Sequence, residues 1–221
     1  MKSLCEQLYF YDEVKMMSNK WLHWANRIQA IAQSGKAFSS DPYDVERYDE
    51  LLTMSADILA NYGDVDTKIV KTLFENESGY QTPKLDGRGV VFLDNKVLLV
   101  REKKDQLWSL PGGFCEVGSS AKENVEKEIY EESGYQTKAT RLLGLYDMQK
   151  HGHPLQPFHY YKVFLQCEII DGTASKGVET DQVGFFTRDS LPPLSTRRNT
   201  EEQVKSMFAF LDQTKVEAYF E

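Results

Sequence analysis

The spacing of apolar side chains changes character once along the chain, near residue 80. Before that point hydrophobic residues recur at the period of an amphipathic helix. Trp21, Trp24 or Ala25, Ile28 and Ala32 follow that spacing, and Gly35 reads as the stop. Asp41-Pro42 opens a second helix, the carboxylate capping it and proline pre-set for its first position. Its stripe is Val45, Tyr48, Leu52, Ser55 and Leu59, and it ends near Gly63. A third helix is predicted from Asp66, burying Ile69, Val70, Leu73 and Phe74 and ending before Gly79. Three such helices make a small bundle or a dimerisation arm.

Beyond residue 80 the alternation is that of strands. Residues 88–93 and 96–101 flank Asp94-Asn95, a two-residue turn signal, and predict a hairpin. Further strands are expected over 142–146, 160–170 and 183–186. One helix, 120–133, interrupts them, and a last helix runs from about 201 to 211. Helices packed on a sheet give an α/β layer structure for this half. The expected organisation is a helical domain over 1–80 and an α/β domain over 84–221.

Composition narrows the setting. Hydrophobic residues make up 41% and charged residues 27% of 221, ordinary for a globular protein able to bury a core. The net charge of −8 gives no general attraction to DNA, RNA or an anionic membrane. The first 80 residues are themselves acidic, which speaks against a DNA-binding head. A polyphosphate could be met only where metal ions neutralise the site. Cys5, Cys115 and Cys167 form no CxxC pair, which argues against a disulfide framework or zinc site and suits a reducing cytoplasm. No apolar run has the length of a membrane span, and the N-terminus has no signal-peptide pattern.

The candidate chemistry lies in residues 110–135. Gly112-Gly113 lets a strand bend sharply and brings its backbone near a ligand. Ser120 and Glu123 form a capping box, Ala121, Val125 and Ile129 face inward, and Gly134 supplies the left-handed stop. Glu128, Glu131 and Glu132 then crowd one region of the helix surface, a repulsion that cations between them would relieve. Hard oxygen ligands of this kind suit Mg²⁺ or Mn²⁺, which keep several waters and bridge to phosphates. A solvated acidic face is the competing reading; the order of strand, double glycine, capped helix, carboxylates and glycine stop weighs against it.

That order resembles the Nudix box. Gly113, Glu128, Ile129, Glu131, Glu132, Gly134 and Tyr135 match its pattern. Ser119 stands in place of its first glutamate, Lys127 in place of its arginine, and Asn124 where alanine is usual. The first two departures are expected to be linked, since losing one partner of an ion pair favours losing the other. Residues 21–25, 41–44 and 77–83 look like the helical extension of the subgroup that acts on X-linked nucleoside diphosphates such as ADP-ribose and CDP-choline. Residues 1–18 are an unmatched extension. The resemblance implies a Nudix α/β/α sandwich with a mixed sheet, preceded by a small helical domain, and a homodimer is the expected assembly. It implies hydrolysis of the diphosphate bond to a nucleoside monophosphate and phospho-X, with Mg²⁺ or Mn²⁺ held by Glu128, Glu131, Glu132 and the Gly113 carbonyl.

Other candidates are weighed singly. Glu179 stands six residues ahead of Phe185, where Nudix proteins often place a further metal-binding or general-base glutamate; a surface acid is the alternative, and Asp181 is close by. Arg101, at a strand end, could fork onto a phosphate. His153, in a loop with His151 and His159, could meet phosphate or ribose. A zinc site there is not expected, because no further ligands complete the spacing. The departures at Ser119, Asn124 and Lys127 also motivate a catalytically weak nucleotide-sugar sensor. An RNA-processing enzyme is the remaining alternative, against which the acidic charge weighs.

Overall fold

The computed structural model describes residues 4–62, 78–154, 156, 158–212 and 217–221. Its contacts divide the chain into two compact units, Met1–Pro83 with Leu155–His159, and Lys84–Pro154 with Tyr160–Glu221.

In the first unit, α1 (Leu4–Phe38) packs against α2 (Pro42–Tyr62). The buried seam is Leu22, Ala25, Gln29, Ala32 and Gln33 on α1 against Ser55, Ala56 and Leu59 on α2. It is shifted from the expected stripe: Trp21 and Trp24 lie on the exposed side, stacked edge to face at 5.1 Å. Small residues win the seam because they let two backbones approach, and Ser55 uses that approach to donate to the Ala25 carbonyl at 2.8 Å. Gly35 is no helix stop, since α1 continues to Phe38. Its bare Cα instead admits the Tyr48 ring, 2.3 Å from where a Cβ would stand. Gly35→Ala gains up to about 1 kcal/mol of helix propensity but overpacks the seam by ~1–3 kcal/mol. A net loss of about 1 kcal/mol is expected, measured as a lower denaturation midpoint. The helix expected from Asp66 falls outside the described residues. Among the described residues no helix is long and apolar enough to cross a membrane.

The second unit is an α/β/α sandwich on a mixed sheet. Its strands are β1 (Lys84–Leu93), β2 (Lys96–Glu102), β3 (Trp108–Ser109), β4 (Gly112–Phe114), β5 (Tyr135–Asp147), β6 (Tyr160–Gly172), β7 (Thr180–Phe186) and β8 (Tyr219–Phe220). The path runs β3-β2-β1-β6-β5-β8, with β4 on β1 and β7 on β2. β1 and β2 form the expected hairpin, turned by Asp94 and Asn95 at φ of 49° and 58°. β1 also runs parallel to β6 and antiparallel to β4, and is the strand around which the site is arranged.

Alternation sends the two faces of the sheet to different helices. Val91, Val163, Leu165 and Cys167 pack under α3 (Ala121–Ser133), which contributes Val125 and Ile129. Val90, Leu143, Tyr146 and Phe164 pack under α4 (Glu201–Leu211), which contributes Val204, Met207, Phe208 and Phe210. Both helices begin with a complete capping box, Ser120 with Glu123 and Thr200 with Gln203, so their starts are set locally.

Candidate active site

The entry into β4 is built on Gly112, its first residue. Its φ is +140°, and a Cβ there would stand 2.0 Å from the Gly87 carbonyl oxygen, so no side chain fits. Its N–H donates to Glu132 Oε2 at 2.9 Å. The next residue, Gly113, lies against the Glu128 carboxylate, whose Oε1 is 3.2 Å from where a Cβ would be. The double glycine and the helix glutamates, separate in sequence, therefore meet at one point.

Two of the three glutamates are withdrawn from water. Glu132 is buried, and burial pushes its carboxyl up to about 8 against the pull of Arg88 and the Gly112 N–H; Glu102 and Glu128 add to the rise. Glu128 is half-buried and raised by burial, then by the neighbouring Glu131 charge. Glu131 is exposed at the rim. Such carboxylates lie in wait for a cation, because a bound cation would repay both the desolvation and the mutual repulsion. Among the described residues no three His, Cys, Asp or Glu side chains are gathered closely enough to hold a metal ion by themselves, so a cation there would draw on main-chain oxygen and water as well. Hard oxygens open on one side fit Mg²⁺ or Mn²⁺, which take few protein ligands and retain waters.

Glu179 is exposed in the loop before β7. That loop is fastened to the end of α3: Ser175 N–H donates to the Ser133 carbonyl at 2.9 Å, and the Thr180 hydroxyl donates to the Glu132 carbonyl at 2.6 Å. Lys103 secures its other side, its ammonium on the Gly177 and Val178 carbonyls at 3.1 and 2.6 Å. Glu179 thus stands one residue from a contact with the helix that carries the glutamates.

The other two candidates are already engaged. Arg101 forks onto Asp181, Nε to Oδ1 at 2.8 Å and Nη2 to Oδ2 at 3.0 Å, so its bidentate face is spent within the protein. His153 Nδ1 lies 2.7 Å from the Thr196 carbonyl, which can only accept, so Nδ1 carries the proton. Burial pushes the imidazole down to about 4, against the pull of the Thr196 carbonyl, which favours the neutral ring.

A second set of charges went unnoticed in the sequence. Arg88 Nε and Nη2 donate to the two oxygens of Asp86 at 2.8 and 3.2 Å, and Nη1 donates to the Leu110 carbonyl at 3.2 Å. The buried Lys162 ammonium, on β6, binds the same Asp86 carboxylate. Burial brings that ammonium down to about 8, although Asp86 opposes the fall. Glu102, buried at the end of β2, pairs with Arg198 at 3.0 Å and is raised by burial. The only available signal was three charged residues, Lys84, Asp86 and Arg88, alternating along a strand.

Lys127 has not lost its partner. Its ammonium binds both oxygens of Glu116 at 3.2 and 3.1 Å, so the expected paired loss of an ion pair is instead an exchange of the acidic member.

Comparison with known proteins bears on both units. The family description "UDP-X-like, N-terminal oligomerisation domain" matches residues 19–74, and "NUDIX domain" matches residues 83–208. The Bacillus subtilis (strain 168) protein YjhB, provisionally named an ADP-ribose pyrophosphatase, is 55% identical over 195 residues, 88% of this chain and 94% of its own length. An ADP-ribose pyrophosphatase of Methanocaldococcus jannaschii is 32% identical over 52% of this chain and 69% of its own. Among solved structures, a UDP-X diphosphatase covers 90% of this chain and 97% of its own at 35% identity and a TM-score of 0.59. An ADP-ribose pyrophosphatase from Streptococcus suis 89-1591 is 41% identical over 63% of this chain and 97% of its own, with a TM-score of 0.55.

Proposed function

The chain belongs to the Nudix family as a hydrolase, and from that premise we propose that it splits the diphosphate of a nucleoside diphosphate linked to X, in a metal-dependent reaction. ADP-ribose, UDP-X and CDP-choline type compounds are the substrate class. The observation that carries the reading is the meeting of Glu128 and Glu132 with Gly112-Gly113. Glu128, Glu131, Glu132 and the Gly113 carbonyl would hold Mg²⁺ or Mn²⁺, and the metal would polarise the phosphoryl oxygens and acidify a bound water.

The chain's own residues do the rest. Gly112 fixes the orientation of the Glu132 carboxylate through its N–H. Glu179, one residue before the contact with the end of α3, would take the proton of the attacking water. Arg101 braces Asp181 and the start of β7, so it acts on substrate only by leaving that pair. His153, neutral, can offer its ring to a ribose or base but not a charge to phosphate. The products are a nucleoside monophosphate and phospho-X.

We further propose a homodimer through the helical unit. Exposed Trp21, Trp24 and Ile31 on α1, in a region matching an oligomerisation domain, support a second copy as the partner.

A panel of ADP-ribose, CDP-choline and UDP-sugars, incubated with Mg²⁺ and with Mn²⁺, tests the activity. Release of the nucleoside monophosphate from at least one member is expected. No release from any member with either metal would sink the proposal.

A further inference from the structure

The helix departs from the family pattern at Ser119, Asn124 and Lys127, and the contacts of these residues form a system of their own. Asn124 is 1% exposed and uses both ends of its amide. Its Oδ1 accepts from the Glu116 N–H at 3.1 Å, and its Nδ2 donates to the Phe114 carbonyl at 3.3 Å. Phe114 directly follows Gly113, so one buried amide grips the backbone immediately after the carbonyl assigned to the metal. Lys127, three residues along α3, grips the side chain of the same Glu116. The Ser119 N–H closes the turn on the Glu116 carbonyl at 3.3 Å. Every one of these contacts converges on residues 114–116.

We propose that Asn124, seconded by the Glu116–Lys127 pair, is the positioning residue that holds the Gly113 carbonyl in register with Glu128 and Glu132. It rests on the reading that these groups hold a divalent cation. An alanine at 124 would leave the Glu116 N–H and the Phe114 carbonyl without their partner on α3, so that Gly112 alone would keep its backbone tie to the helix, through Glu132, while the residues after Gly113 lost theirs. The ion pair cannot substitute for the lost contacts. Glu116 and Lys127 are 58% and 44% exposed, and solvent screens such pairs to little net effect. Asn124 therefore dominates and Lys127 trims. The departures at 124 and 127 thus act together on the loop at Glu116, to which Ser119 adds only its main-chain N–H.

The test is direct Mn²⁺ binding to the full chain, followed by the electron paramagnetic resonance of free Mn²⁺, beside turnover at graded Mn²⁺. Asn124→Ala should bind Mn²⁺ about 10–100-fold more weakly, the usual cost of removing a partner that orients a ligand. Excess Mn²⁺ should restore most of its turnover, because the residue acts through the metal. Lys127→Arg should bind like the unaltered chain. If Asn124→Ala does not fold, Asn124→Asp serves: it keeps the acceptor for the Glu116 N–H, loses the donor to Phe114, and should fall between. Equal binding by the unaltered chain and by the folded Asn124 variant overturns the clamp while leaving the metal reading intact. A turnover loss that excess Mn²⁺ does not restore overturns it too. Absence of Mn²⁺ binding by the unaltered chain overturns both.

Discussion

Glu132→Gln should lose most turnover while the metal-free protein stays at least as stable as the unaltered chain. The two halves of this expectation have one cause. With its carboxyl pushed up to about 8 by burial, Glu132 is chiefly protonated at neutral pH when no cation is near. Glutamine has the shape of that protonated acid, and its carbonyl can still accept from the Gly112 N–H. What it lacks is the anion. A metal supplies several kcal/mol of transition-state stabilisation, and at 1.4 kcal/mol per tenfold the loss should be roughly 10²–10³-fold in kcat. Glu131→Gln should reduce turnover without touching the fold, because that side chain is exposed. Full activity in both variants would remove the assignment.

The same residue sets a pH dependence of stability. Its folded value lies above the ordinary 4.5, so its contribution is fully present below about 4.5 and is lost as pH rises through about 8. Thermal melts in chelator should therefore show the unaltered chain weakening over that window relative to Glu132→Gln. Added Mg²⁺ favours the carboxylate and should shrink the difference. Parallel melting curves for the two proteins across the window would contradict the burial argument.

The parts that could be read from sequence were those written locally. The α3 start needs only Ser120 and Glu123, the β1–β2 turn only Asp94 and Asn95, and the site's centre only the spacing of Gly113, Glu128 and Glu132. What escaped depends on partners far along the chain. β1 begins four residues before the expected strand because its charged Lys84–Gly87 stretch is held by pairing with β6, whose Lys162 lies 76 positions from Asp86. β3, β4 and β8 are two or three residues long and carry no periodicity to detect. The helical stripes were legible in part: Ala25, Ala32 and Ser55 are buried where their period places them, whereas Trp21 and Trp24 fall on the exposed flank because close helix packing favours small residues. Arg101 looked free for phosphate because Asp181, 80 positions away, is invisible as its partner until β2 and β7 pair.

Asp86→Ala is expected to cost the fold about 3–5 kcal/mol, the usual price of breaking a buried ion pair from one side. Asp86 pairs directly with two buried cations, Arg88 and Lys162, while Glu132 and Glu102 act on Arg88 by their charge. Without it, Lys162 can shed its proton, since burial already holds it near 8. Arg88 cannot, because a guanidinium does not deprotonate in proteins, and the penalty stays on that residue. Lys162→Met should cost far less, because the bidentate Asp86–Arg88 pair survives it. Urea titrations should order the two variants this way; equal losses would show that the cluster is not organised around Asp86. Acid sharpens the test. Burial pushes the Asp86 carboxyl up, but Arg88 and Lys162 together outweigh it and hold the group below the ordinary 3.8. Its stabilisation is then present above 3.8 and lost as pH falls through the lowered value, a loss that Asp86→Ala should not show. The cluster reaches the reaction through β1, where Gly87 and Arg88 pair with Gly113 and Gly112. A strand loosened at Asp86 moves the turn that orients Glu132, so Asp86→Ala that remains folded should also bind Mn²⁺ less tightly, and tight binding in that variant would separate the charge cluster from the metal site.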